Sequence, residues 1–368
     1  MNVNSPAIEA ANRQAKQPTR TMRAAVYRGQ GRVVVEQVPV PVIGAGEVLI
    51  RVNACGICGT DIKKIQHGFL HPPLILGHEI AGTIVDVGAG VTRWKGGDRV
   101  VSFHHIPCGK CFYCERRLFS QCPKYKEVGL TAGFKPSGGG FAEYVRAMPW
   151  IVERGILAIP PGVSFEEAAF IEPLNTCLKA VEKARVAAGE QVVVLGQGPI
   201  GILLMMLAKN RGADVVTSDP LPSRRGASLR FGALASFEPG STDLEREVRR
   251  RTEGRGADAV LLAVAHPNLV EQGLSLARPG GRVLLFAHND PVLRVELPAA
   301  AIGIEEKEIL GSYSAAVDRV KESARLVFDR ILPVRDMISH RVPLEEIAEA
   351  LDLATHPRAD SMKVMVIP

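Results

Sequence analysis

Gln191-Val192-Val193-Val194-Leu195 runs without a gap into Gly196-Gln197-Gly198-Pro199-Ile200-Gly201. The four apolar residues that end the first run predict a buried strand, and the apolar residues after Gly201 predict a helix over 199–210. A glycine turn between strand and helix presents free backbone amides, and the positive end of the helix dipole, to an anion such as a pyrophosphate. Gly196, Gly198 and Gly201 allow the tight turn and the close approach, while Gln197 and Ile200 complete the loop. Pro199 is tolerated at the first helical position, where its missing N–H has no partner to lose. Asp219 closes the next strand, 23 residues past Gly196. A carboxylate there accepts from ribose hydroxyls and repels a 2′-phosphate, which predicts NAD over NADP. Arg224 and Arg225 bring the opposite charge to the same place, either to meet a 2′-phosphate or to stack on adenine.

The alternation continues outward. Residues 214–218, 257–264 and 281–287 read as further buried strands, with helices at 222–231 and 268–277. That spacing predicts an α/β fold class with a doubly wound parallel sheet of the Rossmann kind. Residues 23–147 differ: β-rich runs at 24–27, 32–38, 47–52, 82–87 and 99–102 lie between Gly and Pro turns and predict a compact β domain. A helical segment begins at Ser164, its N-cap, with Glu166 and Glu167 in the first turn. Past residue 309 come helices at 315–328 and 344–355 and a strand at 362–367, a tail expected to return to the β domain. The expected division is an arm at 1–22, a β-rich domain at 23–170, a nucleotide domain at 171–310 and the returning tail at 311–368.

The 368 residues suffice for two domains with real cores. No apolar run reaches the length of a membrane span, so no membrane partner is expected. The net charge of +6 is spread along the chain. Its densest basic piece, 246–255, is interleaved with Glu and reads as a solvated helix face, which argues against a nucleic-acid partner. Residues 1–22 lack the apolar core of a secretory signal, and Pro6 and Pro18 oppose an amphipathic transit helix, leaving an arm on a cytoplasmic protein.

Four of the seven cysteines, Cys108, Cys111, Cys114 and Cys122, fall within fifteen residues. Four thiolates close the coordination of zinc and leave no room for substrate, so this ion is structural. The reacting metal must lie elsewhere. Cys58 stands in Gly56-Ile57-Cys58-Gly59-Thr60-Asp61, His78 and Glu79 in Gly77-His78-Glu79, and Glu172 in Ile171-Glu172-Pro173-Leu174. A thiolate, an imidazole and a carboxylate suit zinc, and three protein ligands leave a position for water or an alcohol. Cys55-Gly-Ile-Cys58 has redox spacing but follows a strand without a thioredoxin pattern; Cys55 and Cys177 read as buried thiols. His104 and His105 precede the cysteine loop, either as a pocket wall or as packing.

With Gly139-Gly140-Phe141-Ala142-Glu143-Tyr144-Val145 added to these motifs, the chain resembles the medium-chain zinc-dependent alcohol dehydrogenases from Arg23 to near its end. It stands nearest the polyol (sorbitol-type) and threonine dehydrogenase branch. The resemblance implies a GroES-like catalytic domain beside the Rossmann domain, with the site in the cleft, and two zinc ions per chain. It gives the reacting zinc to Cys58 and His78, with Glu79 and Glu172 sharing the remaining protein position. Thr60 would relay the substrate proton, Asp61 would support the zinc site and Thr176 would touch the nicotinamide. Lys363 would lie near the pyrophosphate and His288 near the nicotinamide amide. One departure stands out: many relatives carry His five residues past the first ligand, where this chain has Lys63, followed by Lys64. The relay then ends in a lysine or in water, or the lysines meet an anionic substrate group.

The implied reaction is hydride transfer from a secondary alcohol or polyol to NAD. A threonine 3-dehydrogenase-like or sugar-phosphate dehydrogenase activity is the alternative. The expected partners are a small-molecule alcohol and further copies of the chain, as a homodimer or homotetramer.

Overall fold

The structure, a computed structural model, describes residues 20–67, 70–287 and 294–368. The first half runs β1 (Thr21–Gly29), β2 (Arg32–Pro39), β3 (Val48–Gly56), α1 (Gly59–His67), β4 (Leu74–Ile75), β5 (Glu79–Val87) and β6 (Arg99–Ser102). It continues through α2 (Phe112–Glu115), β7 (Leu130–Thr131), β8 (Tyr144–Ala147), α3 (Pro149–Arg154), β9 (Ile156–Ala158) and α4 (Phe165–Ala169). Then come α5 (Ile171–Lys183), β10 (Gln191–Leu195), α6 (Pro199–Asn210), β11 (Asp214–Ser218), α7 (Pro222–Arg230), β12 (Ala235–Phe237) and α8 (Thr242–Arg251). β13 (Ala257–Leu262), α9 (Pro267–Leu276), β14 (Ala277–Leu285), α10 (Ala299–Gly303) and β15 (Glu308–Gly311) complete that part. The tail holds α11 (Val320–Phe328), β16 (Ile338–Pro343), α12 (Ile347–Thr355) and β17 (Lys363–Ile367). β1 starts at Thr21, inside the stretch expected as an arm; residues 1–19 lie outside the described residues.

The nucleotide half is a six-stranded sheet in the order β12-β11-β10-β13-β14-β15, with every pair parallel. All five residues of β10 are buried, as are all residues of α6 from Gly201 to Ala208. Burial on both faces is why β10 is continuously apolar rather than alternating. The chain reverses direction across the sheet between β10 and β13, which opens a crevice at their C-terminal ends.

The other half is an eight-stranded sheet, β16-β17-β3-β5-β6-β9 with β8 attached to β3 and β7 to β8, beside the three-stranded β2-β1-β4. The register pairs Gly56, the last residue of β3, with both Glu79 of β5 and Met365 of β17. The segments just after β3 and just before β5 therefore emerge side by side. The tail meets this sheet, since β17 lies between β3 and β16.

Some local expectations shift. β14 begins at Ala277 rather than 281, because a register slip against β13 absorbs its Pro279-Gly280-Gly281 segment. α11 begins at Val320 rather than 315, because the backbone N–H of Ala316 donates to the buried Asn175 Oδ1 at 2.7 Å. The basic run starts on α8, which stops at Arg251; Arg246 pairs there with Asp243, Arg249 with Glu245, and Arg250 and Arg251 with Glu247. Its charge is answered on its own helix. No helix of the described residues is long and apolar enough to cross a membrane.

Candidate active site

The adjacency of β3 and β5 brings Cys58 and His78 to one place, and Asp61 locks them together. Asp61 is fully buried; its Oδ2 accepts from the Cys58 backbone N–H at 3.1 Å, and its Oδ1 accepts from that of Gly77 at 3.3 Å. The same Oδ1 lies 3.2 Å from His78 Nδ1. Burial alone would favour the neutral forms. The contact outweighs it and holds the Asp61 carboxyl below its ordinary range and the His78 imidazole well above its own. With Nδ1–H donating to Asp61, Nε2 is the ring nitrogen left to bind a metal, which would displace its proton. Gly77 permits the turn that delivers His78: its φ is +90°, and a Cβ there would lie 2.7 Å from the Phe141 ring and 2.9 Å from Cys55 Sγ.

The carboxylate comes from the first turn of α5. A capping box starts α4 just upstream: Ser164 Oγ accepts from the Glu167 N–H at 3.1 Å, and Glu167 Oε2 from the Ser164 N–H at 3.0 Å. α5 then sets Glu172 into the cleft, where burial pushes its carboxyl up to about 7. His78, His104 and Glu172 each offer a ligand atom, all within 4.8 Å of one another. Cys58 faces the same cavity and accepts the Thr60 N–H on its sulfur at 3.4 Å.

Glu79 is not part of this group. It ion-pairs with Lys363, which is 3% exposed and also donates to the Ile57 carbonyl at 3.0 Å. Two of the expected site residues thus meet each other. Glu79 is engaged inside this half by a buried ammonium, while Glu172 is the carboxylate that lines the cavity. The Lys363 ammonium also lies 5.8 Å from the Phe170 ring.

The cavity measures about 530 Å³. Cys58, Thr60, Lys63, Lys64 and His78 form one wall, and Thr176, Ile200, Ala263, Val264 and Phe286 form the nucleotide side. Lys63 Nζ reaches across to the Ala287 carbonyl at 3.4 Å. The Thr176 hydroxyl donates to the Pro173 carbonyl at 2.7 Å. His104 and His105 both line the cavity, with ring centroids 4.0 Å apart. Burial, with charge on neighbouring groups, holds His105 down at about 4 and His104 well below its ordinary range, so both rings are neutral near pH 7. Reading the sequence left these two histidines undecided; their place just ahead of the cysteine loop was the only available signal. His288 lies outside the described residues.

At the glycine loop, Gly198 caps α6 and Pro199 opens it. Asp219 is 2% exposed and its carboxylate grips backbone: Oδ2 accepts from Gln197 N–H at 2.6 Å and Oδ1 from Leu221 N–H at 2.9 Å. It thus shapes the loop as well as presenting negative charge to it. The Arg224 guanidinium lies 3.7 Å from where a Cβ on Gly198 would stand, whereas Arg225 folds back onto the Asp219 and Pro220 carbonyls at 2.9 Å. A Cβ on Gly201 would come within 1.8 Å of the Gly196 carbonyl oxygen. Gly201→Ala must therefore push α6 away from the turn. Dinucleotide affinity, read by NADH fluorescence titration, is expected to fall about 100-fold with metal content unchanged.

The four-cysteine loop lies apart from the cavity's reacting end. Cys111 and Cys114 sulfurs are 3.6 Å apart, Cys108 and Cys114 sulfurs 3.9 Å, and the Cys108 N–H donates to Cys122 Sγ at 3.4 Å. All are free thiols that could converge on one ion. Burial pushes Cys114 up to about 12. At Cys122 the N–H groups of Cys108 and Tyr125 outweigh burial and bring the thiol down to about 6. Tyr125 fastens the loop across the molecule, its hydroxyl bonded to Ser314 Oγ at 2.8 Å and the Ala315 carbonyl at 3.0 Å. Lys179 adds bonds to Ser120 Oγ at 3.0 Å and the Tyr313 carbonyl at 2.7 Å. Ser312, Tyr313 and Ser314 line the cavity, so the loop buttresses the pocket wall.

Comparison with known proteins agrees with this geometry. Residues 44–156 match the alcohol dehydrogenase GroES-like domain, and residues 199–329 match the zinc-binding dehydrogenase domain. A sorbitol dehydrogenase of Bacillus subtilis (strain 168) is 29% identical over 356 residues, covering 94% of this chain and 97% of the relative. An L-threonine 3-dehydrogenase of Symbiobacterium thermophilum is 33% identical over 358 residues, covering 95% and 98%. Among solved structures, a zinc-binding dehydrogenase of Sinorhizobium meliloti 1021 bound to NADP superposes with a TM-score of 0.84 at 31% identity, covering 95% of this chain and all of that one.

Proposed function

Since this chain belongs to the medium-chain zinc-dependent alcohol dehydrogenase family, in its polyol branch, and is an oxidoreductase of alcohols and polyols, we propose that Cys58, His78 and Glu172 hold its reacting zinc and that a secondary carbinol there gives up hydride to NAD. A second zinc belongs to Cys108, Cys111, Cys114 and Cys122. The observation that supports this assignment is the meeting of Cys58, His78 and Glu172 with Thr176 and Ile200 around one cavity. When bound, zinc lowers the pKa of an alcohol hydroxyl and the nicotinamide accepts the hydride.

The chain's own groups supply the rest. Asp61 keeps His78 in the ligating tautomer. Thr60, placed on the cavity wall by the start of α1, takes the hydroxyl proton and hands it outward. Lys63 lies three residues on, on the same face of that helix, and borders the path by which the proton leaves to water. Gly196–Gly201 at the α6 N-terminus would hold the pyrophosphate of the nucleotide, with Arg224 to answer its charge and Thr176 to contact the nicotinamide. NAD is favoured over NADP because Asp219 sets a negative charge at the end of β11. Two or four copies assemble, a reading supported by β15, which ends its sheet with an outer edge that pairs with no described strand.

Zinc-loaded protein tested with polyols, L-threonine and sugar phosphates should reduce NAD with a polyol, and faster than NADP. Faster NADP reduction would reverse the cofactor choice, and no turnover with any alcohol would remove the reading. Lys63→Met sorts the two uses of the cavity's lysines. A relay predicts a lower kcat and a changed pH profile with neutral polyols, whereas an anion contact predicts a raised KM for sugar phosphates alone.

A further inference from the structure

His104 stands between the two zinc sites and belongs to neither family motif. It follows β6, and its carbonyl accepts the Gly129 N–H at 2.9 Å, which fixes its backbone. Its ring lies 4.7 Å from that of His78, centroid to centroid, tilted by 45°. A ring nitrogen of His104 falls within 4.8 Å of ligand atoms on both His78 and Glu172. Its Nδ1 is buried and bonds to nothing. A buried polar atom left without a partner is costly, so a site that keeps one implies a partner that satisfies the ring.

We propose that His104 is a further protein ligand of the reacting metal, completing a sulfur, two-imidazole and carboxylate set with Cys58, His78 and Glu172. The inference rests on the assignment of the reacting zinc to those three residues. The donor chemistry fits: zinc takes thiolate, imidazole and carboxylate together, and it expands to five ligands when a further oxygen arrives. An imidazole beside His78 and Glu172 with a nitrogen left unbonded is what such a set needs. A histidine here thus holds the metal more tightly between turnovers while leaving a fifth position for the alcohol.

The test measures metal rather than turnover. Zinc content and affinity, by competition with a chelating dye, and the absorption spectrum after cobalt replacement are compared for the full chain, His104→Phe, His104→Gln and His78→Ala. The four-cysteine ion serves as an internal control for folding. Both His104 variants should keep that ion, bind the other about tenfold or more weakly, and show a changed cobalt spectrum. If zinc affinity and cobalt spectrum match the unmodified chain in both variants, His104 is no ligand. If His78→Ala itself keeps two tightly bound ions, the assignment of the reacting metal fails, whatever His104 does.

Discussion

Cys58→Ser should leave a folded protein that has lost turnover and one of the two zinc ions proposed for it. The thiolate carries charge onto the metal and is its soft ligand; a serine hydroxyl is a poor substitute at neutral pH. Lewis-acid stabilisation is worth several kcal/mol, so kcat/KM should drop about 1,000-fold or more. Folding should survive because Cys58 is only half-buried and its sulfur accepts one backbone N–H, from Thr60 at 3.4 Å, which an oxygen can also accept. Steady-state kinetics, zinc analysis and thermal unfolding on one preparation measure all three effects. Near-normal turnover would sink the assignment of Cys58.

Cys111→Ser should do the reverse, harming stability first. Beneath the loop lies a small cluster of Cys114, Cys122 and Tyr125, with little apolar bulk to hold it without metal. Losing that ion frees the segment that Tyr125 and Lys179 tie to Ser314, Ala315 and Tyr313. Removing a structural metal is expected to cost several kcal/mol, lowering Tm on the order of 10 °C. Activity should fall only after that, as the pocket wall at Ser312, Tyr313 and Ser314 loosens. A Cys111→Ser protein as stable as the original but slow in turnover would contradict the division of labour between the metals.

Local signals carried the nucleotide half well. The run from Gln191 to Gly201 declares strand, turn and helix within eleven residues, and nothing distant can override a strand buried on both faces. The ligands were recognisable because each stands in a short motif, and the β3–β5 register then explains why two of them meet. What stayed hidden depends on contacts between remote segments. Lys363 and Glu79 are 284 positions apart, and only the pairing of β17 with β3 shows that the lysine occupies the glutamate. Asp219 was read as a ribose ligand from its place after β11; its bonds to the Gln197 and Leu221 amides follow from loop geometry that no spacing encodes. His104 has no motif at all, and its position emerges only when β6 is set beside β5.

Hydride transfer is proposed to depend on one zinc held by Cys58, His78 and Glu172, while the other zinc holds structure. The most direct measurement follows polyol-driven NADH formation alongside zinc content as a chelator removes the ions and zinc is restored. The account predicts that activity disappears with loss of a single, weaker-bound ion per chain, while the fold persists, and returns when one equivalent is restored. Undiminished NADH formation after that ion has gone would contradict it.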